Sequence, residues 1–95
     1  MEFFYQTKKY YISGKIHLTK TSEKTNKKGE TKVYKWRDSI VDGREVEART
    51  EKEAIEQFKE MEVQLVEADE YELLREVDFF DDLEVTTTSN LNSTE

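Results

Sequence analysis

The chain has no cysteine, no proline, one histidine and only three glycines among its 95 residues. Without cysteine there is neither a disulfide nor a thiolate metal ligand, a composition that suits a reducing cytosol. A lone histidine leaves no His/Cys pair to hold zinc. It also leaves a serine or threonine nucleophile with one possible base, and no elbow motif presents such a nucleophile. That residue, His17, falls in the middle of an alternating run on its polar side and reads as a surface histidine. Gly14, Gly29 and Gly43 are isolated, so no glycine-rich loop cradles a phosphate. The segment "DFFDDLE" offers Asp78, Asp81, Asp82 and Glu84 but lacks the glycine and spacing of a calcium loop. No apolar run approaches the ~20 residues of a membrane helix, and "MEFFYQTKKYY" has no signal-peptide core. The expectation is a non-enzymatic cytoplasmic protein with no cofactor, no metal and no membrane partner.

Charge is plentiful instead. Charged residues make up 39% of the chain against 35% apolar, and 12% aromatic content argues for a folded core rather than disorder. The formal net charge of −7 conceals a division along the sequence. Residues 1–37 carry ten cations against three carboxylates, a net of +7, whereas residues 38–95 carry five cations against nineteen carboxylates, a net of −14. Such asymmetry points to charged partners. The length fits one small domain, placed at 1–85, followed by a polar tail at 86–95 without periodicity.

Hydrophobic periodicity supplies the elements. In "YYISGKIHLTK", Tyr10, Ile12, Ile16 and Leu18 share one face and Tyr11, Ser13, Lys15, His17 and Thr19 the other, the pattern of a half-buried strand. Gly14 lies on the apolar side, where it marks a bulge or the close approach of another element. Residues 21–30 read as an exposed hairpin loop. A second strand spans 32–41 with Tyr34, Trp36 and Ile40 inward and Lys35 and Arg37 outward. Asp42-Gly43 reads as a type I′ turn into a third strand at 44–49. Thr50-Glu51-Lys52-Glu53 is a capping box, and after it the period changes to that of a helix with Ala54, Phe58, Met61 and Leu65 on one stripe. From Leu73 the odd positions Leu73, Val77, Phe79, Leu83 and Val85 predict a last strand, although Leu73, Val77 and Phe80 also fit a helix. Together these give an α+β fold of two layers: an antiparallel sheet of three to four strands in the order β-β-β-α-β, with one helix packed on one face.

Two candidate binding surfaces emerge. Glu67, Asp69, Glu70, Glu72, Glu76, Asp78, Asp81, Asp82 and Glu84 place nine carboxylates within eighteen residues. Spaced along an element, they imitate the phosphate rows of nucleic acid and suit a basic groove on a partner. The alternative is the basic hairpin, where Lys15, Lys27, Lys28, Lys32, Lys35 and Arg37 hold phosphates while aromatics stack on bases. A homodimer, basic face against acidic face, needs no outside partner.

The order hairpin, "KWRD", "VDGREVEARTEKEAIEQFK" resembles the compact strand–strand–strand–helix accessory proteins of phages and mobile elements, with "EARTEKEAIEQF" carrying the likeness over residues 10–62. Some of those proteins are stoichiometric inhibitors of host defence nucleases, including anti-CRISPR proteins. The resemblance implies a phage-encoded inhibitor, acting as a DNA mimic in the host cytoplasm on a basic nucleic-acid-binding protein or nuclease complex.

Overall fold

The computed structural model of the chain describes residues 6–68 and 73–87. They form β1 (Lys8–Thr25), β2 (Thr31–Ala48), α1 (Glu51–Val66) and β3 (Leu73–Thr87). The antiparallel sheet has the order β2-β1-β3, and the helix packs on one face, so the fold is α+β with two layers. The described residues make three strands in the order β-β-α-β, one strand fewer before the helix than the order β-β-β-α-β.

The difference lies at Asp42-Gly43. The expected turn is absent, and β2 runs without interruption from Thr31 to Ala48, with Asp42 opposite Gly14 and Gly43 opposite Ser13. Gly43 does not adopt a positive φ. It is small for another reason: a Cβ there would collide with the Tyr11 ring, whose Cζ lies 2.9 Å from the Cβ position. A diagonal aromatic covering a strand glycine replaces the packing that the glycine lacks. The real turn is Asn26-Lys27-Lys28-Gly29-Glu30. Gly29 N–H donates to Asn26 O at 3.0 Å and Asn26 N–H to Glu30 O at 2.9 Å. The Asn26 side-chain oxygen also accepts from the amides of Lys28 and Glu30. Gly29, at φ 85°, supplies the left-handed residue that closes this three-residue loop. The expected loop at 21–30 therefore shrinks, because both strands continue to the turn, and no proline interrupts either.

Length decides what the helix can cover. Sixteen helical residues at ~1.5 Å reach about 24 Å, whereas eighteen strand residues at ~3.4 Å reach about 61 Å. Only the proximal part of the sheet is roofed, and the rest projects as an arm, giving a molecule 69 Å long and 20 Å thick. Under the roof lie Tyr10, Ile12, Val46, Ala48, Ala54 and Phe58, and a second cluster of Ile16, Leu18 and Val66 follows towards the arm.

The helix begins as expected, with Thr50 Oγ1 accepting from Glu53 N–H at 3.1 Å. The reciprocal half of the capping box shifts by one residue, for Glu53 Oε1 accepts from the amide of Arg49 instead. The buried stripe is Ala54, Phe58, Glu62 and Val66, spaced by four. Met61 and Leu65, expected inward, are exposed. Glu62 takes the inward place because Arg44 on β2 meets it: Arg44 Nε donates to Glu62 Oε2 at 2.5 Å and Arg44 NH2 to Asp42 Oδ2 at 2.9 Å. This network separates the two apolar clusters.

β3 is a strand throughout, with two bulges that change which residues face inward. Val77 pairs with Leu18, but Phe79 then pairs with His17 and Phe80 with Ile16. Phe79, expected inward, is turned out and half exposed, and Phe80 packs against the core in its place. At the second bulge Asp82 adopts φ 51° and Leu83 lies over Gly14. A Cβ on Gly14 would stand 2.6 Å from a Leu83 methyl, the close approach that its position on the apolar face suggested. β3 ends at Thr87, two residues into the expected tail; residues 88–95 lie outside the described part.

Candidate interaction surfaces

β3 is an edge strand whose outer face displays carboxylates. Glu76 lies opposite Thr19, Asp78 is the extra residue of the first bulge, Asp81 lies opposite Lys15 and Glu84 opposite Ser13, all exposed. The bulges matter here. A regular strand alternates its side chains, so each extra residue in a bulge adds an outward side chain to the row. Asp78 and Phe79 face His17 together, while Asp81 and Asp82 are consecutive and both exposed. Some of these groups have local partners: Thr19 Oγ1 donates to Asp78 Oδ2 at 2.7 Å, and His17 Nε2 lies 3.6 Å from Asp81 Oδ2. The His17 ring stacks on Phe79 with centroids 4.2 Å apart and planes inclined by 14°. His17 thus packs as part of the sheet surface.

Six of the nine expected carboxylates lie among the described residues. Glu67 accepts the Val77 amide at 2.8 Å through Oε2, tying the end of α1 to β3. Asp69, Glu70 and Glu72 lie outside the described residues. Glu76, Asp78, Asp81, Asp82 and Glu84 remain as a continuous acidic edge.

The six basic candidates are also divided. Lys15, Lys35 and Arg37 share the open face of the sheet, Lys27 and Lys28 sit in the turn, and Lys32 faces the other way. Acidic β3 and three of the basic residues therefore share one face of the sheet. The same open face passes from acidic β3 through Lys15 and His17 on β1 to Arg37 and Lys35 on β2, with a shallow cleft lined by His17, Arg37, Asp38 and Ser39.

The arm itself, residues 19–38, holds seven cations against three carboxylates, a net of +4. Tyr34 and Trp36 do point to the helix side, since they pair with Ser22 and Lys20, but they lie beyond the reach of α1 and are 48% and 43% exposed. Lys20 and Asp38 pair at 2.8 Å beside them, and hydrogen bonding from Lys20 holds the Asp38 carboxyl below its ordinary range.

Sequence reasoning missed the Asp42–Arg44–Glu62 network. Its signal was the spacing of four from Ala54 and Phe58 to Glu62 and Val66, with an arginine on the strand before. Burial pushes the Glu62 carboxyl up, against the hydrogen bond from Arg44. Burial acts in the same direction on Asp42, but hydrogen bonds from Glu62, the Gly43 amide and Arg44 outweigh it and bring Asp42 below its usual value. The network is structural: it satisfies an acid that the helix buries. Among the described residues no group of three or more His, Asp or Glu is arranged to hold a metal ion, and no helix is long and apolar enough to cross a membrane. Compared with family models, with curated proteins and with solved structures, the chain matches none.

Proposed function

We propose that the protein is a non-enzymatic inhibitor that engages a basic, nucleic-acid-binding groove of a partner, such as a host defence nuclease, through the acidic edge of β3. The observation that carries this reading is the bulged strand. It presents Glu76, Asp78, Asp81, Asp82 and Glu84 along one solvent-facing edge, where carboxylates two residues apart stand about 6.8 Å from each other. A row of fixed anions on a rigid element steers and registers a cationic groove. The mutual repulsion of these anions is relieved when the cations of a partner arrive.

The test replaces Glu76, Asp78, Asp81 and Asp82 together by lysine, with circular dichroism to show that the sheet persists. Wild-type chain on a resin should retain nucleic-acid-binding proteins, release them on addition of duplex DNA or salt, and lose them on reversal. Retention that is indifferent to the reversal sinks the reading.

A second reading has one observation in its favour. Tyr34 and Trp36 are exposed among the seven cations of the arm, an arrangement that stacks bases and holds phosphates. A gel shift with single- and double-stranded DNA and RNA at two salt concentrations separates the two. Tight, salt-sensitive binding favours the arm, and its absence favours the acidic edge.

A further inference from the structure

Of the ten large apolar side chains exposed among the described residues, five lie on β2, against two on α1, two on β3 and one on β1. β2 is eighteen residues long and, among the described residues, has no neighbour on its outer side. Along it Val41 is 75% exposed and Val33 55%, with Tyr34, Trp36 and Ile40 also exposed. Unpaired amides and carbonyls on an edge strand recruit another strand, and charged side chains of the kind that blunt such edges, here Lys35, Arg37, Glu45 and Glu47, restrict which strand can pair. The helix adds to the same side. Lys59 reaches over Phe80 on the β3 flank, and Met61, two positions on and so about 200° around the helix, projects over the β2 flank. Met61 and Leu65 are 41% and 55% exposed. Arm and helix flank thus carry unroofed apolar groups at opposite ends of one edge.

We propose that β2 pairs antiparallel with β2 of a second copy about a two-fold axis at Val41, forming a six-stranded sheet in a symmetric homodimer. Backbone phase allows it. The Asn26–Glu30 bond at the turn and the unbroken pairing with β1 direct even-numbered residues of β2 inward, so the odd-numbered amides and carbonyls face out. A two-fold axis at Val41 matches odd residues with odd.

Charge then selects the register. With Val41 opposite Val41, Lys35 meets Glu47, Arg37 meets Glu45 and Asp38 meets Arg44, each twice by symmetry. Sliding by one residue about the axis sets Asp38 against Asp42 in one direction and Lys35 against Arg49 in the other. Like charges directly opposite are destabilising. In the favoured register Trp36 lies beside Val46 of the second copy, under the flank that carries Met61. The part of the arm that its own helix is too short to roof is roofed by the helix of the other copy. The larger electrostatics agree, since the arm carries a net +4 and the rest of the chain −11. The acidic β3 strands become the two outer edges of the assembly, free for a partner.

Light scattering after gel filtration, from low to several hundred micromolar, should show a mass twice that of the chain. Val41→Pro removes an outward amide without touching the β1 ladder, and should yield single chains with an unchanged circular dichroism spectrum. Arg37→Glu should weaken association roughly tenfold by setting two like-charge pairs against each other, and adding Glu45→Arg should restore it. The register has its own probe, because the chain has no cysteine. On oxidation Val41→Cys should link two chains across the axis, and Ser39→Cys should not, its two sites lying about 14 Å apart along the strands, beyond the ~7 Å of a disulfide. The Val41→Cys result stands even where Val41→Pro fails to fold. Single chains throughout the range overturn the proposal, including single chains that bind nucleic acid through Trp36. A dimer in which Ser39→Cys links as readily as Val41→Cys overturns it too.

Discussion

The same two strands lead different lives at their two ends. Near the base, β1 and β2 bury Tyr10, Ile12, Val46 and Ala48 beneath Ala54 and Phe58. Towards the tip, Tyr34 and Trp36 occupy equivalent positions on the same side and remain exposed. Alternation is identical in both halves; only the helix overhead differs. An inward-facing position becomes core when a second layer reaches it, and a 16-residue helix cannot reach along an 18-residue strand.

The comparison is broken most directly at Phe58. It is fully buried, and Phe58→Ala should lower unfolding free energy by about 3–5 kcal/mol, read from urea denaturation. A loss below about 1 kcal/mol would mean that the roof does not stabilise the base. Next comes Glu62, also fully buried. Glu62→Ala leaves Arg44 without its buried partner and should cost about 2–4 kcal/mol, whereas Glu62→Gln keeps both hydrogen-bonding roles and should cost less.

The pH dependence of that pair sharpens the point. Because burial raises Glu62 above its ordinary 4.5, the folded chain holds this proton more tightly than the unfolded chain. The contribution of Glu62 to stability is therefore full below 4.5 and falls as pH rises from there to the raised folded value. Relative to wild type, Glu62→Gln should gain stability over that rise, and a denaturation midpoint difference that moves the other way refutes the assignment. Asp42, held below its ordinary 3.8, acts oppositely and loses its contribution as pH falls through its lowered value.

Smaller effects belong to the arm. Gly29→Ala forces a side chain into φ 85° at the turn, with open space around it, and should cost about 1–2 kcal/mol through backbone strain alone. Trp36→Ala should change stability by less than about 0.5 kcal/mol at submicromolar dilution, as exposed substitutions do. Wild-type stability should rise with protein concentration, and that rise should vanish in Trp36→Ala if the arm is roofed by a second copy.

Much of this was legible from residue order. The faces of β1, the role of Gly14 and the start of α1 at Thr50 follow from periodicity and capping, whereas from Leu73 onward periodicity leaves strand and helix both open. Misreadings arose wherever a tertiary contact chose between local options. Asp42-Gly43 has the chemistry of a turn, but continuous pairing to β1 and the Tyr11 ring over Gly43 favour a strand. Met61 and Leu65 fit the apolar stripe as well as Glu62 and Val66 do, and only Arg44 opposite decides between them. The outward turn of Phe79 depends on a bulge, which no alternating pattern announces. For the acidic edge, sequence identified the carboxylates, but Glu67 was diverted to hold the end of the helix.

The position of β1 at the centre of the sheet fixes an order of assembly. Its pairing with β2 closes through a three-residue loop, whereas its pairing with β3 brings Tyr10 against Thr87, across nearly the whole chain. Short closures form early and distant ones late. The hairpin is thus expected to nucleate folding and β3 to dock last, so that substitutions at Asn26 should slow folding while those in β3 mainly speed unfolding. Equal effects of both on the folding limb of a chevron plot would reverse that order. Until β3 arrives, the nascent chain is a bare basic hairpin, and the strand that completes its sheet is also the one that brings its acidic edge.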